Sequence, residues 1–248
     1  MRENWKFWLA VLMVALAAGF GVMRFRRLVH EQAPAWLKLE HKAAESLPKP
    51  AWEHFKLVVK QTQTEADTRG LPFGSIQFVD LNDRTNEATW WTTERVVNQG
   101  FNPLTSLESS SQAGKDRFLG YYTLGGDSLS CEIKHHPSRP NWLILTVNLE
   151  QPLPPGASLV VVRVERRPGT LTTTRDGKSV MNFGRLAKAA TGVQARAILL
   201  PGKSVLAQYR PEKGASVFHQ DGEATVLWIN TRLDDAQPPL SATFTMAK

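Results

Sequence analysis

From residue 71 to the end of the chain, apolar and polar positions alternate in short segments. A period of two is typical of strands with one buried face, because successive side chains of a strand point to opposite sides. Turn-forming Pro, Gly, Asn and Asp separate the segments, and no helix-length segment lies between them. The pattern predicts strands around Ile76–Leu81 and at Ala88–Val97, Arg117–Leu124, Ser128–Lys134, Trp142–Leu149, Ser158–Arg166, Leu171–Thr174, Ser179–Phe183, Val193–Leu199, Val205–Tyr209, Ala215–His219, Thr225–Ile229 and Leu240–Met246.

Many short strands divided by turns predict a mainly β fold, an antiparallel β-sandwich or barrel, for residues 71–248. Residues 98–115 are rich in Ser, Gly and Asn and show no sustained periodicity, so they are predicted to form a long loop. The region could also consist of two subdomains, 71–150 and 151–248. No G-x-G-x-x-G and no P-loop is present to indicate a nucleotide site.

Two segments repeat the same order of turns at a spacing of about 46 residues. Pro155-Gly156 and Pro201-Gly202 open them, and Asp176-Gly177 and Asp221-Gly222 are predicted to close type I′ hairpins within them. Residues 155–186 and 201–233 would then be copies of one three-stranded meander, although Pro-Gly and Asp-Gly turns also arise by convergence. The order of turns over residues 142–248 resembles immunoglobulin-like or fibronectin-like sandwich modules of bacterial envelope proteins, a resemblance that implies no functional residues.

The amino-terminal region has a different pattern, with seventeen residues from Phe7 to Met23 that contain no charge. At about 1.5 Å per residue they reach roughly 25 Å as a helix, near the lower limit for crossing a bilayer. Side chains suited to the membrane interface lie at its two ends, with Trp5 and Trp8 at one and Arg24, Arg26 and Arg27 at the other. We expect an uncleaved anchor in residues 1–27; a cleaved signal peptide and a buried core helix are the alternatives.

Residues 28–70 are predicted to form a helical stalk of two short helices. Pro34 suits the first turn of a helix that would run up to Pro48, and Pro50 suits the first turn of a second helix that would end at Gly70. The segment 55–59 also has the composition of a strand, which leaves a second interpretation open.

The net charge of +7 is less informative about function than it first appears. Residues 1–27 contain five basic residues and one acidic residue, so more than half of the excess positive charge flanks the apolar segment. The remaining charges are mixed in sign, which argues against a nucleic-acid partner. The single Cys131 excludes an intrachain disulfide, and no cofactor is expected.

Adjacent Trp90 and Trp91 are the strongest candidates for a contact surface. On a strand one indole must face the core and the other must face outward. The outward indole either binds a partner, as exposed aromatic side chains often do, or is covered by a second sheet or by the 98–115 loop. Phe101, in the predicted loop, would extend the surface. Arg163, Glu165 and Arg167 alternate on another strand and are predicted to form a solvated, charged face.

Together these features predict a single-pass, membrane-anchored, non-enzymatic protein. Its β-sandwich region would lie outside the membrane as an interaction or envelope-assembly module, with the membrane and another protein or an envelope polysaccharide as partners. One alternative is a membrane-tethered hydrolase or carbohydrate-active enzyme, for which two or three candidate groups in residues 98–140 would have to converge: Asp116, Asp127, Glu132, His135 and His136. Another is a regulatory protein whose domain faces the cytoplasm.

Overall fold

The computed structural model describes residues 49–81, 87–112, 117–184, 192–230 and 239–245, and the backbone of residues 40–42. One helix and sixteen strands lie within these ranges. In chain order they are β1 (Glu40–Lys42), α1 (Lys49–Arg69), β2 (Phe73–Leu81), β3 (Glu87–Val97), β4 (Leu104–Gln112), β5 (Arg117–Thr123), β6 (Ser128–Leu129), β7 (Cys131–His135), β8 (Trp142–Leu153), β9 (Ser158–Pro168), β10 (Leu171–Thr173), β11 (Ser179–Gly184), β12 (Val193–Leu199), β13 (Val205–Arg210), β14 (Ala215–Gln220), β15 (Glu223–Asn230) and β16 (Leu240–Thr245).

The strands form three sheets, which confirms the mainly β prediction. The large sheet has eight strands in the order β14-β15-β12-β2-β3-β9-β5-β6. The first small sheet has the order β1-β7-β8-β4 and the second has the order β10-β11-β16-β13. Both small sheets are antiparallel, whereas in the large sheet β2 and β12 are parallel, so the expectation of a fully antiparallel region was wrong there. The large sheet contains strands from both of the possible subdomains, 71–150 and 151–248. From the first come β2, β3 and β5, and from the second come β9, β12, β14 and β15.

The two faces of the large sheet are covered by different elements. Ile76 and Phe78 of β2 pack with α1, while Val79 and Leu81 of the same strand pack with the second small sheet. The first small sheet covers the same side further along, where Val161 of β9 joins a third apolar cluster. The alternation of side chains along each strand thus produces a three-layer arrangement, with α1 on one side and both small sheets on the other.

Helix α1 follows from local sequence signals, as predicted. Pro50 lies in its first turn, and Gly70 ends it with φ +63°. The Gly70 N–H donates to the Asp67 carbonyl (3.1 Å) and the Leu71 N–H to the Ala66 carbonyl (2.9 Å), the two hydrogen bonds of a Schellman cap. Ala51, Phe55 and Val58 are buried against the large sheet. The strand interpretation of residues 55–59 was therefore wrong, and α1 belongs to the folded core instead of extending from it as a stalk.

Two other predictions about the connecting segments were also wrong. Within the predicted loop 98–115, residues 104–112 form β4, which pairs with β8 from Ser106 opposite Asn148 to Gln112 opposite Trp142. The strand escaped prediction because serines, where apolar residues were expected, occupy much of its length. Residues 40–42, predicted as helix, form β1 and pair with β7; the rest of that predicted helix lies outside the described residues.

The two segments predicted to be copies do not form the same meander. In the first, β9 belongs to the large sheet and the β10–β11 hairpin to the second small sheet; in the second, β13 belongs to the second small sheet and the β14–β15 hairpin to the large sheet. Their turns also differ. Asp221 and Gly222 both have positive φ, as a type I′ turn requires, whereas at Asp176-Gly177 only the glycine does. Phe183 and Trp228, predicted to occupy matching positions, are both buried but contact each other across one core (6.3 Å between ring centroids).

The predicted anchor, including its interface residues Trp5, Trp8, Arg24, Arg26 and Arg27, lies outside the described residues. Within the ranges that the structure describes, no helix has the length and apolar character needed to cross a bilayer.

Candidate functional site

Trp90 and Trp91 face opposite sides of β3, as the sequence predicts. Trp91 is fully buried under α1, where its ring stacks on Trp52 at 5.5 Å and contacts Phe78 edge-on at 5.7 Å. Trp90 is half-buried beneath the second small sheet. Its indole meets Phe183 edge-on at 5.5 Å, and the Arg167 guanidinium lies 4.6 Å from its centroid. Trp91 is thus a core residue, and Trp90 already has neighbours on its outward side.

Phe101 is fully exposed, in the connection between β3 and β4. Asn98 holds this connection: its amide nitrogen donates to the carbonyls of Asn102 (2.9 Å) and Leu153 (2.7 Å), and its oxygen accepts from the Gly100 N–H (3.0 Å). Trp90 lies seven residues before the end of β3, a distance of about 23 Å along the strand, and Phe101 lies beyond that end. The predicted surface is therefore two separate features.

The charged side chains of β9 are not a solvated face, which corrects the sequence prediction. Glu165 is only 4% exposed. It pairs with Arg163 through one carboxylate oxygen and with Arg167 Nη2 at 2.9 Å through the other, and Ser111 Oγ donates to it at 2.9 Å. Burial acts to raise the pKa of Glu165, but the two guanidinium groups and the Ser111 hydroxyl outweigh it, so the pKa lies below its ordinary value. Strand β4 covers part of this network, with the Ser111 hydroxyl on Glu165 and the Ser110 carbonyl accepting from Arg163 Nη1 at 3.3 Å.

A groove with a volume of about 210 Å³, which we call the β4 groove, lies beside this network. Its floor holds Glu94 of β3 and Tyr121 of β5, and β4 supplies much of its wall. Tyr121 Oη donates to Glu94 Oε2 at 3.3 Å, and Arg163 Nη1 lies 3.7 Å from Glu94 Oε1. Burial raises the pKa of the Glu94 carboxyl, although Arg163 and Tyr121 oppose the shift. Burial and the charge of Glu94 likewise raise the pKa of Tyr121.

A second buried polar cluster lies between α1 and the large sheet, where sequence analysis identified no site. His54 is fully buried; its Nδ1 is 2.8 Å from Thr225 Oγ1 and its Nε2 is 3.6 Å from Glu223 Oε2. On the same face of the sheet, burial and the charge of Glu223 raise the pKa of Asp80 to about 6, with Arg166 opposing them. His54 could have been found, because it lies on the apolar stripe of α1 with Ala51, Phe55 and Val58.

Among the residues proposed for an enzyme, Glu132 and His135 both lie on β7. Asp127 lies in the β5–β6 hairpin, where Thr123 Oγ1 donates to its carboxylate at 3.3 Å. His136 Nδ1 accepts from the Ser138 N–H at 3.2 Å, just after β7. Asp116 lies outside the described residues. No three or more His, Cys, Asp or Glu side chains in the described ranges are grouped so that they could hold a metal ion. Cys131 is a buried free thiol whose pKa burial raises to about 11, which keeps it protonated.

No known protein family and no curated protein matches this sequence. Among solved structures, the chain is similar to the M1 zinc metallopeptidase from Deinococcus radiodurans, with a TM-score of 0.38 and 11% identity over 68% of this chain and 40% of that one. It is also similar to leukotriene A4 hydrolase from Saccharomyces cerevisiae, with a TM-score of 0.41 and 8% identity over 68% of this chain and 28% of that one. The chain spans less than half the length of either protein. At these scores the likeness carries no argument about function.

Proposed function

We propose that this protein is a single-pass, membrane-anchored, non-enzymatic protein whose β-rich region lies outside the membrane as an interaction or envelope-assembly module. In this proposal residues 1–27 hold the chain in the membrane, and the β-rich region serves as immunoglobulin-like or fibronectin-like sandwich modules do in envelope proteins. The observation that carries the proposal is the β4 groove, which runs beside a strand at the edge of its sheet. Edge strands with open backbone groups are common sites of attachment for partner chains.

The placement of the other polar groups supports an interaction role. Glu165 is neutralised by Arg163 and Arg167, and this internal ion pairing leaves its carboxylate little capacity to react with a substrate. The connection between β3 and β4, which Asn98 holds by hydrogen bonds, carries the exposed aromatic side chain of Phe101. Exposed aromatic residues anchor many protein interfaces.

Protease accessibility on intact cells tests the membrane arrangement. We expect added protease to digest the β-rich region in intact cells and to leave a short membrane-bound fragment. Replacing Leu12 and Leu16 together with Arg should release the chain from the membrane fraction, because charge in the centre of a short apolar segment opposes insertion. Leu12→Ile is the matched control and should stay membrane-bound. Digestion only after the cells are lysed would place the region inside and contradict the proposal.

Chemical crosslinking of the full chain in its own membrane tests the interaction role. We expect a crosslinked partner that disappears when the chain is denatured first. A chain that yields no crosslinked partner in its native membrane would not be an interaction module.

A further inference from the structure

Among the described residues, β4 pairs with β8 alone, so its other side is an open edge of the first small sheet. The β4 groove follows β4: its lining includes β4 residues of both alternating sets, Ser106 and Glu108 as well as Leu107 and Ser109, and it reaches beneath the strand to Val147 of β8. Edge strands are commonly protected by Pro or Lys, and β4, Leu104–Gln112, contains neither. Its open side is therefore suited to pairing with another extended chain.

The groove lining is amphipathic and negatively charged. Val96, Leu104 and Leu107 supply apolar walls, and the lining contains Glu94 and Glu108 without any Lys or Arg among the described residues. Arg163, behind the floor, is held mainly by Glu165, to which it donates from both Nε (3.0 Å) and Nη2. It reaches Glu94 only at 3.7 Å, so the Glu94 carboxylate is incompletely neutralised.

This lining matches one kind of ligand, a cationic group at the end of an apolar stem. Lys and Arg side chains both have that form. The two Glu94 oxygens already face different groups, with Oε1 near Arg163 and Oε2 near Tyr121, so the carboxylate has no free edge for a bidentate guanidinium. An ammonium group acts as a compact point charge and needs no such edge, which favours lysine.

We propose that an extended segment of a partner protein adds to the open edge of β4 and places a lysine side chain in the β4 groove, with its ammonium at Glu94. Main-chain hydrogen bonds to β4 supply affinity, and the groove supplies selectivity for the lysine, as in other strand-addition complexes. The inference rests on the proposed interaction function, for which it names the partner chemistry.

Binding of short peptides to the full chain in detergent micelles tests this inference. The probe is a capped pentapeptide, Thr-Val-Lys-Val-Thr, and its twin carries Nε-acetyl-lysine, which keeps the stem and removes the charge. We expect the lysine peptide to bind about tenfold or more tightly than its twin, and this preference to shrink as salt is raised. A version with methylated backbone nitrogens should bind more weakly, because it cannot complete the strand pairing.

Two variants locate the binding in the groove. Glu94→Gln should reduce the affinity for the lysine peptide to that for the acetylated twin, and Ser106→Met should weaken both peptides by filling the groove. Glu150→Gln, an exposed charge change on β8 outside the groove, is the matched control and should bind as the wild type does. Circular dichroism checks that each variant folds.

Equal affinity for the two peptides, an unchanged preference in Glu94→Gln, or no binding of either peptide at millimolar concentration would each overturn the inference. Crosslinking in the native membrane separates this failure from failure of the proposed function. If wild type and Glu94→Gln capture the same partner equally, the function stands and the groove assignment is wrong. If neither captures a partner, the proposed function itself fails.

Discussion

Glu165 is a buried carboxylate held between two arginines of its own strand. Its position between Arg163 and Arg167, two residues away on either side, correctly places all three on one face of β9. Charged residues on one face are usually solvated, and nothing in that local pattern indicated that a serine-rich strand would cover them. Burial converts what would be a weak surface ion pair into an interaction whose loss leaves a charge without its partner.

We expect Glu165→Gln to lower the free energy of unfolding by about 3–5 kcal/mol, because it leaves the partly buried Arg163 guanidinium without its main counter-charge. Chemical denaturation followed by tryptophan fluorescence measures the change. The exposed Glu150→Gln control should stay within about 0.5 kcal/mol of the wild type. A similarly small effect at Glu165 would mean that the ion pair contributes no net stability.

Asp80 should make the fold less stable as the pH rises. Its pKa of about 6 in the folded chain lies above its ordinary value of 3.8, so the folded state favours the protonated carboxyl. The stabilisation that this shift provides is fully present below about pH 4 and is lost as the pH rises towards 6 and beyond. The free energy of unfolding changes by up to about 3 kcal/mol over this range.

Asp80→Asn should therefore raise the free energy of unfolding at pH 7.5 more than at pH 4, as denaturation at the two pH values would show. Asp221→Asn, in an exposed turn where Asn also tolerates positive φ, is the matched control and should give the same small change at both. The same small change in Asp80→Asn would contradict the assignment.

At the scale of elements, the strands were predictable where one face is apolar. The bounds predicted for β12 match the structure, and those of β9, β14 and β15 differ by no more than two residues, since alternation and turn residues define both ends. Strand β4 was missed because its covered face bonds to charged groups of β9 through serine hydroxyls. The groove was missed for the same reason, because its wall is the strand that the sequence did not predict.

The two tryptophans of β3 provide a test at this scale. Trp91→Ala should cost about 3–5 kcal/mol, because it leaves a cavity under α1 beside Trp52, Phe55 and Phe78. Trp90→Ala should cost about 1–3 kcal/mol, from the loss of its contacts with Phe183 and Arg167. Thermal melts of the two variants measure the difference. Equal losses would show that the second small sheet covers Trp90 as completely as α1 covers Trp91.

At the scale of the whole molecule, the pairing of distant strands could not be predicted from the sequence. Which strand lies beside which depends on contacts such as β2 with β12, whose paired residues are more than a hundred positions apart. The repeated order of turns predicted one local meander twice, but each segment divides its strands between two sheets. Local periodicity defines a strand and its buried face, whereas the layer that covers that face depends on the rest of the chain.

The position of α1 as a full layer leads to a prediction for the molecule as a whole. Phe55 is buried at the middle of the interface with the large sheet, in contact with Phe78 and Trp91. In the full chain, Phe55→Asp should abolish the cooperative thermal transition or lower its midpoint sharply, because an unpaired carboxylate would replace an aromatic ring in the core. Lys60→Asp, an exposed position on the same helix, is the matched control for helix propensity and charge and should fold normally. If α1 were a stalk outside the fold, both variants would melt as the wild type does. Loss of folding in Phe55→Asp alone would show that α1, Lys49–Arg69, is part of the folded unit. The connector between the proposed anchor and the folded region would then be shorter than the predicted stalk of residues 28–70.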